Sequence, residues 1–241
     1  MSKNSVGARA RYDKAFYDEF TNSSRRSAEI VLGKLFEQHR PSSVVDVGCG
    51  VGAWLSIAQE LGAQVRGFDG PWVDDSQLLI APSDFTRINF ESREWPDLGQ
   101  ADLAMSLEVA EHLSEEQGRL LVRKLCTCAP AILFSAAVPM QGGEGHQNEQ
   151  WQSWWANLFR EQKYTASVTL RNAIWADEAV NFWYRQNCVF YFDPQRLPHL
   201  AQLTDAKEPM DVIHPRLFDI RVIKRARHSR LRRVLDALRM R

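Results

Sequence analysis

Three closely spaced glycines, Gly48, Gly50 and Gly52, follow a run of β-branched residues and form the first pattern with chemical potential. A glycine turn between a strand and a helix lets a ligand lie against bare backbone. Gly48 and Gly50 with Ala53 also satisfy the relaxed dinucleotide pattern. However, Asp46 precedes the turn, and a carboxylate would repel a pyrophosphate. Asp46 therefore favours a ligand with a cationic part.

A second acid, Asp69, ends the next predicted strand, 19 residues after Gly50. This position suits a carboxylate that accepts hydrogen bonds from both ribose hydroxyls, a role shared by several nucleoside-containing cofactors. Further along, Glu108, Glu111 and His112 form a compact polar run. Two interpretations of that run stay open, namely ligand contact and simple complementation of a helix dipole.

A third polar segment, residues 141–151, contains three glycines together with His146, Asn148 and three glutamines. It directly follows a predicted strand, so it should lie at the carboxyl edge of the sheet, where ligands of open α/β sheets bind. His146 is the first candidate for a general base and His112 the second, because the pKa of an ordinary histidine is near 6.5. The alternative is that His146 only holds the loop in place.

Five of the eight tryptophans fall between residues 151 and 183. Trp151, Trp154, Trp155 and Phe159 have the spacing of a helix face packed on a sheet, which favours a core role for most of them. Trp183 and Tyr184 precede the last predicted strand, where a position at the rim of a site is expected. The predicted substrate-side residues are Asn148, Gln150, Trp151, Trp175 and Tyr184.

The elements that position these residues alternate between strand and helix. Strands are predicted at 44–47, 64–69, 85–90, 101–107, 131–138, 164–171 and 187–192, and helices at about 53–61, 114–125 and 151–162. Within residues 8–40 a helical period places Ile30, Val31, Leu35 and Phe36 on one face, and Pro41 ends that helix. Ser114 and Gln117 have the spacing of a capping box. The pattern predicts a doubly wound α/β domain whose last two strands form an antiparallel edge hairpin without a long helix between them.

The run Val44-Val45-Asp46-Val47-Gly48-Cys49-Gly50-Val51-Gly52 resembles the first motif of class I S-adenosylmethionine-dependent methyltransferases. The segment Ser106–Leu113 is similar to the acidic Glu-Val-x-Glu-His segment of small-molecule members. The resemblance covers about residues 27–192 and implies a mostly parallel seven-stranded sheet, Rossmann-like, with a reversed edge hairpin. We divide the chain into a lid segment at 1–26, the cofactor-binding domain at 27–193 and an extension at 194–241.

The resemblance also implies S-adenosyl-L-methionine as cofactor. Gly48, Gly50 and Gly52 would pass along its methionine part, Asp46 would lie near its ammonium group and Asp69 would hold its ribose. The family usually has an acid near the adenine amino group, where this chain has Asn89-Phe90. The Asn89 amide oxygen can still accept that hydrogen bond. The further predicted cofactor contact is Glu108.

Methyl transfer to a small molecule, or to a glycan or secondary-metabolite precursor, is the predicted activity. The aromatic residues Tyr12, Phe16 and Tyr17 could close as a lid, with Tyr17 as a further catalytic candidate. One alternative keeps the cofactor and cyclises it to azetidine-2-carboxylate and methylthioadenosine. A second alternative is a non-enzymatic protein that retains a nucleoside pocket.

The balanced total of 30 basic and 30 acidic residues hides a basic tail. Residues 221–241 carry nine basic residues and one acid, so the preceding body is acidic. An acidic body disfavours nucleic acid as a partner. One helical face of the tail carries the apolar residues Leu231, Val234, Leu235 and Leu238. This pattern is compatible with weak contact to an anionic membrane surface. The alternative is a helix that caps the acidic body, or a solvated terminus.

The composition narrows the remaining expectations. No apolar stretch is long enough for a membrane helix, and the first residues lack a secretory pattern, so we expect a cytoplasmic protein. The four cysteines show no Cys-x-x-Cys pair, and no metal site is predicted. The sequence defines no oligomeric state.

Overall fold

The structure, a computed structural model, describes residues 14–203 and 209–221, with side chains from residue 21 onward. The helices are α1 (Lys14–Gln38), α2 (Ala53–Glu60), α3 (Glu115–Cys128), α4 (Gln152–Glu161), α5 (Thr169–Ile174) and α6 (Phe182–Asn187). The strands are β1 (Ser43–Val47), β2 (Gln64–Asp69), β3 (Phe85–Arg87), β4 (Leu103–Leu107), β5 (Ala131–Ser135), β6 (Thr165–Ser167) and β7 (Val189–Phe192).

The seven strands form one sheet in the order β3-β2-β1-β4-β5-β7-β6. Strands β1 to β5 pair in parallel, and β7 runs antiparallel to both β5 and β6. The predicted fold class, a doubly wound and mostly parallel sheet with an antiparallel edge, is therefore confirmed. Every residue of β4 and β5 is buried, as expected for central strands covered by helices on both faces.

The core lies in two layers, one on each face of the sheet. Because side chains alternate along a strand, Leu103 and Met105 of β4 enter one layer while Ala104 enters the other. The first layer includes Leu32 and Leu35 of α1, and α1 also packs against α2 and α5. The second layer is closed by α3 and α4.

Only some of the aromatic residues predicted for the buried face of α4 lie in the core. Trp155 and Phe159 are buried, and both rings pack on Phe134 of β5. Trp151 precedes the helix and is exposed. Trp154 is half-buried, beneath the guanidinium of Arg119.

The connection before β7 differs from the sequence prediction. The strand predicted at 164–171 ends at Ser167, and the short helices α5 and α6 occupy most of the chain that leads to β7. The hydroxyl of Ser167 accepts a hydrogen bond from the Thr169 N–H, a local contact that turns the chain out of the strand. The predicted antiparallel pairing of the two strands is correct.

Helix α3 begins as its sequence predicts, with one difference. The Ser114 hydroxyl accepts a hydrogen bond of 3.3 Å from the Gln117 N–H and so caps the helix. The Gln117 side chain does not complete the capping box; its amide donates to the carbonyls of Glu91 and Ser92 instead. Gln117 thereby fastens the segment after β3 to the start of α3.

Two sequence predictions fall outside the described residues. The structure describes neither Tyr12 nor the side chains of Phe16 and Tyr17, so the lid prediction is not addressed. The same holds for residues 222–241 of the basic tail. Within the described part of the chain, no helix combines the length and the apolar character that crossing a bilayer requires.

Candidate functional site

The glycine turn after β1 is shaped by left-handed backbone conformations. Gly48, Gly50 and Gly52 have φ angles of 87°, 56° and 84°, which glycine adopts most readily. A Cβ atom on Gly48 would lie 2.2 Å from a methyl group of Val109, whereas one on Gly50 would meet no atom within 4 Å. The turn therefore packs against the segment after β4 at Gly48 and faces open space at Gly50.

Asp69, at the end of β2, is joined to this turn. One carboxylate oxygen accepts a hydrogen bond of 2.6 Å from the Gly50 N–H, and the other accepts one of 2.6 Å from the Gly70 N–H. Each oxygen keeps a second lone pair, so the carboxylate can also receive two ligand hydroxyls. Burial raises the pKa of Asp69, while the two backbone hydrogen bonds oppose that rise.

Asp46, in β1 beneath the turn, is buried, with 2% of its surface exposed. Its Oδ1 has no hydrogen-bond partner among the described residues. Desolvation, together with the nearby Asp69 carboxylate, raises the pKa of Asp46 to about 7. A buried acceptor without a partner is costly unless a ligand satisfies it, and a cationic ligand would do so best.

Glu108 follows β4 in a left-handed conformation, with φ of 56°, that residues other than glycine seldom adopt. Its carboxylate accepts hydrogen bonds from the side-chain amides of Gln141, at 3.1 Å, and Asn187, at 3.0 Å. Gln186 donates to the same Gln141 side chain at 2.9 Å. Burial raises the pKa of Glu108. The two amide hydrogen bonds fix the orientation of this carboxylate and help to hold the unfavourable backbone conformation.

The polar loop after β5 is bound to the turn that follows Glu108. The backbone N–H groups of Gln147 and Asn148 both donate to the Glu111 carbonyl, at 2.8 and 3.0 Å. The Gln147 side chain also donates to the His112 carbonyl at 2.6 Å. The loop expected at the carboxyl edge of the sheet is therefore held beside the Glu-Val-x-Glu-His run by backbone contacts.

Two histidines meet where the loop and the turn join. The rings of His112 and His146 lie edge to face, with centroids 4.7 Å apart. Nδ1 of His146 lies 2.9 Å from Oε1 of Glu149. The Gly142 N–H donates to the same oxygen, and the Met140 N–H donates to Oε2. Burial lowers the pKa of His112, and the neighbouring His146 lowers it further.

Two adjoining cavities open above the carboxyl ends of the strands. The larger has a volume of about 1020 Å³, and its lining includes Asp69, Asn89, Phe90, Glu108 and His112. The smaller, of about 620 Å³, lies over Asp46 and is closed by Thr21 and Ser24 of α1 and by Trp183 and Tyr184. Gly48, Gly50, Trp72 and Glu108 line both cavities. This arrangement suits a nucleoside at one end and a cationic group at the other.

Residues 20–205 match the family model described as "Methyltransferase domain". The chain belongs to the class I S-adenosylmethionine-dependent methyltransferase family. The resemblance drawn from the glycine turn and the acidic run is confirmed. The malonyl-[acyl-carrier protein] O-methyltransferase of Pseudescherichia vulneris is 27% identical over 178 residues, which cover 72% of this chain and 68% of that protein.

Solved structures share the fold at low sequence identity. An O-methyltransferase family protein from Burkholderia thailandensis has a TM-score of 0.50 and 15% identity, covering 77% of this chain and 61% of that chain. The methyltransferase domain of bacterial-CtHen1-C has a TM-score of 0.51 and 17% identity, covering 71% of this chain and 98% of that domain.

Human N-acetylserotonin methyltransferase in complex with SAM also has this fold, with a TM-score of 0.50 and 15% identity, covering 74% of this chain and 54% of that chain. This methyltransferase chain therefore spans less than two thirds of the human and Burkholderia proteins.

Family membership implies S-adenosylmethionine as the cofactor, and the residues of this methyltransferase fit that group. The unpartnered Oδ1 of Asp46 offers an acceptor for the ammonium group. The glycine turn leaves bare backbone at Gly50. The Asp69 carboxylate, held by the Gly50 and Gly70 N–H groups, lines the larger cavity, where it can accept hydrogen bonds from ribose hydroxyls.

The lining of the larger cavity includes one residue, Trp72, that was not predicted from the sequence. Trp72 stacks on Phe90 with ring centroids 6.1 Å apart and an interplanar angle of 18°, yet 70% of its surface is exposed. The signal available in the sequence was the Gly70-Pro71-Trp72 run after Asp69. Asn89 lines the cavity as predicted, and its side-chain oxygen already accepts a hydrogen bond from the Glu91 N–H.

The predicted substrate-side residues are dispersed in the methyltransferase. Tyr184 lines the smaller cavity, and Trp54 donates a hydrogen bond of 3.4 Å to its hydroxyl. Asn148 is buried; it donates to the Ala110 carbonyl and accepts from Gln150. Trp151 and Trp175 are not among the described residues that line the two cavities.

Three further polar groups near the site were not predicted from the sequence, namely the amides of Gln141 and Asn187 and the carboxylate of Glu149. Gln141 is 33 residues and Asn187 is 79 residues from Glu108, to which both donate hydrogen bonds. Glu149 is 3 residues from its partner His146. The polar run before β7 was the available signal for Asn187. The sequence offers no comparable pattern for its pairing with Glu108.

Proposed function

We propose that this protein transfers a methyl group from S-adenosylmethionine to an oxygen atom of a small molecule, or of a glycan or secondary-metabolite precursor. The observation that carries the proposal is the buried Asp46 carboxylate, whose Oδ1 lacks a partner beneath the glycine turn. The name of the Pseudescherichia relative, an O-methyltransferase, supports oxygen as the acceptor atom.

Each of the two cavities binds a different part of the cofactor. Asp46 and the backbone around Gly50 bind the amino-acid part in the smaller cavity. Asp69 binds the ribose, while Trp72 and Phe90 provide an aromatic surface for the adenine in the larger cavity. Glu108, held by Gln141 and Asn187, lies where the cavities meet.

The bound cofactor supplies an electrophilic methyl group on a sulfonium. The task of the protein is to align an acceptor in line with that methyl group and to exclude water. Tyr184 and Trp54 form an edge-to-face pair, with centroids 4.9 Å apart, beside the glycine turn. Aromatic rings near a cation stabilise it. The catalytic roles of His146, His112 and Tyr17 stay predictions.

The size of the site favours a second substrate over cyclisation of the cofactor. Pockets for single small ligands commonly measure about 300–1,000 Å³. Here a cavity of about 1020 Å³ adjoins one of about 620 Å³. Volumes of this size leave room for an acceptor beside the cofactor, which disfavours cyclisation to azetidine-2-carboxylate.

Calorimetry and product analysis test the proposal. The full chain should bind S-adenosylmethionine, and Asp46→Asn should weaken that binding. In a screen of hydroxyl and carboxyl acceptors, S-adenosylhomocysteine should form only with an acceptor. Release of methylthioadenosine from the cofactor alone would contradict methyl transfer. Absence of cofactor binding would instead favour the non-enzymatic alternative.

A further inference from the structure

We infer that Glu111, His112 and His146 form a binding site for one divalent transition-metal ion. Each residue offers one donor atom, and the three atoms lie within 4.8 Å of one another. A carboxylate and two imidazoles are common ligands of such ions. No metal site was predicted from the sequence, because the chain has no Cys-x-x-Cys pair and residue 146 is more than 30 positions from residues 111 and 112.

The strongest independent observation is the state of the Glu111 carboxylate. Glu111 is 1% exposed, and no described residue gives either of its oxygens a hydrogen bond of ordinary geometry. Burying an ionised carboxylate without such partners is costly, so the group is protonated unless it is paired with a cation or binds a metal. The structure describes no lysine or arginine that forms an ion pair with it. A bound cation would supply the missing partner.

The surroundings of His146 match those of a metal-binding histidine. Such histidines generally donate their other ring N–H to a carboxylate or a carbonyl, which fixes the tautomer. Glu149 lies 2.9 Å from Nδ1 of His146 and leaves Nε2 with a free lone pair.

The ligand residues are also held in position before any ion arrives. The hydrogen bonds from Gln147 and Asn148 to the Glu111 carbonyl fix the loop that carries His146. Glu149 ties the same loop to the backbone of Met140. Because His112 is exposed, an ion can reach the site from solvent. Fixed ligands with an open approach favour binding without a large rearrangement.

The donor set narrows the choice of ion. Mg²⁺ and Ca²⁺ prefer oxygen ligands, so two imidazoles disfavour them. Zn²⁺, Mn²⁺ and Fe²⁺ accept two histidines and one carboxylate and leave coordination positions open. Those positions would be filled by water or by oxygen atoms of a ligand.

The ion would lie beside the larger cavity, because His112 forms part of the wall of that cavity. An ion there could bind an acceptor oxygen and lower the pKa of its hydroxyl group. This second step rests on the proposed function. It would give His112 and His146 the task of holding a metal in place of the general-base role predicted from the sequence.

Metal binding by the full chain tests the site without any methylation assay. After treatment with a chelator, the protein should bind one Zn²⁺ or Mn²⁺ per chain in calorimetry, and Co²⁺ should give visible absorption bands. Glu111→Gln, His112→Ala and His146→Ala should each weaken Zn²⁺ binding by more than about 100-fold. Glu149→Gln should weaken it by about 10-fold, as is typical when a ligand's hydrogen-bond partner is lost.

His199→Ala is the matched control, because His199 is an exposed histidine whose ring lies 6.1 Å from that of His39. It should leave Zn²⁺ binding unchanged. The proposal is overturned if the wild type binds no more Zn²⁺ than the Glu111→Gln/His112→Ala/His146→Ala triple variant, or if His199→Ala abolishes binding.

S-adenosylmethionine titration of the same samples shows whether each variant is folded. Cofactor binding without metal binding would contradict the metal site alone. Metal binding without cofactor binding would contradict the proposed function alone.

Discussion

The carboxylate of Asp69 accepts a hydrogen bond of 2.6 Å from the backbone N–H of Gly50, so the acid proposed to bind the ribose also fixes the glycine turn. The loss of its side chain should therefore have two consequences. Asp69→Ala should weaken S-adenosylmethionine binding by at least about 10-fold and lower stability by about 1–3 kcal/mol, since two backbone donors lose their partner. Calorimetry and urea unfolding measure these two effects.

Asp69→Asn provides the comparison for that variant. Its one amide oxygen can serve one of the two N–H groups, so stability should fall less than in Asp69→Ala, while cofactor affinity should still fall. Unchanged affinity in both variants would remove Asp69 from the binding site.

Asp46 should make stability and cofactor binding depend on pH in opposite directions. Burial raises its pKa from 3.8 to about 7, so the folded protein favours the protonated form more than the unfolded chain does. That contribution is present in full below the unfolded pKa and is lost as pH rises through about 7. Ionisation should in turn strengthen binding of the cofactor's ammonium group.

Asp46→Asn isolates this effect. Without cofactor, the variant should be more stable than the wild type at pH 8, by at most about 4 kcal/mol, and the gain should shrink towards pH 4. Its affinity for S-adenosylmethionine should be lower and nearly independent of pH between 6 and 8. Urea unfolding and calorimetry at several pH values provide the test, and an equal stability change at pH 4 and 8 would contradict it.

A methyl group at Gly50 should block the cofactor more than it disturbs the fold. A Cβ atom there meets nothing within 4 Å, but the φ of 56° is unfavourable for alanine by about 1–2 kcal/mol. Gly62 is the matched control, because it also has a positive φ and open space. Both Gly50→Ala and Gly62→Ala should lose stability, while only Gly50→Ala should weaken cofactor binding, by about 10-fold or more. Equal affinities in calorimetry would argue against the pose.

Trp72 should contribute to binding with little effect on stability. Its ring is 70% exposed and forms part of the wall of both cavities. Stacking of a base on an aromatic ring contributes about 1–3 kcal/mol. Trp72→Ala should therefore weaken S-adenosylmethionine binding by about 5- to 150-fold and change the free energy of unfolding by less than about 0.5 kcal/mol. Trp151→Ala, which removes an exposed tryptophan outside the cavities, should leave the affinity unchanged.

Arg171 should matter for stability alone. Its guanidinium is 1% exposed and donates to the Met210 carbonyl at 2.7 Å and to the Pro209 carbonyl. Arg171→Met keeps the length of the side chain but removes these charge-assisted hydrogen bonds, so the free energy of unfolding should fall by about 1.5–3 kcal/mol. Cofactor affinity at a temperature well below unfolding should not change. A loss of affinity without a loss of stability would show a different role.

The sequence by itself determined the first half of the site. Gly48, Gly50, Asp46 and Asp69 lie within one strand-turn-helix-strand unit, where the order of residues along the chain largely fixes their positions in space. The central strands were also predictable, because continuous apolar runs mark strands buried on both faces. The ends of the strands were harder to predict. Residues 168–171 have side chains typical of a strand, but the contact between the Thr169 N–H and the Ser167 hydroxyl turns the chain into α5.

The tertiary structure alone decided what surrounds that unit. Asn187 reaches Glu108 across 79 residues of sequence, and the loop of His146 is hydrogen-bonded to Glu111. No periodicity or spacing encodes such pairs, because each depends on which strands become neighbours and on how far each loop extends from the sheet. The proposed cofactor contacts lie within one local unit of the chain, whereas the proposed acceptor side and metal site form only after β4, β5 and β7 have come together.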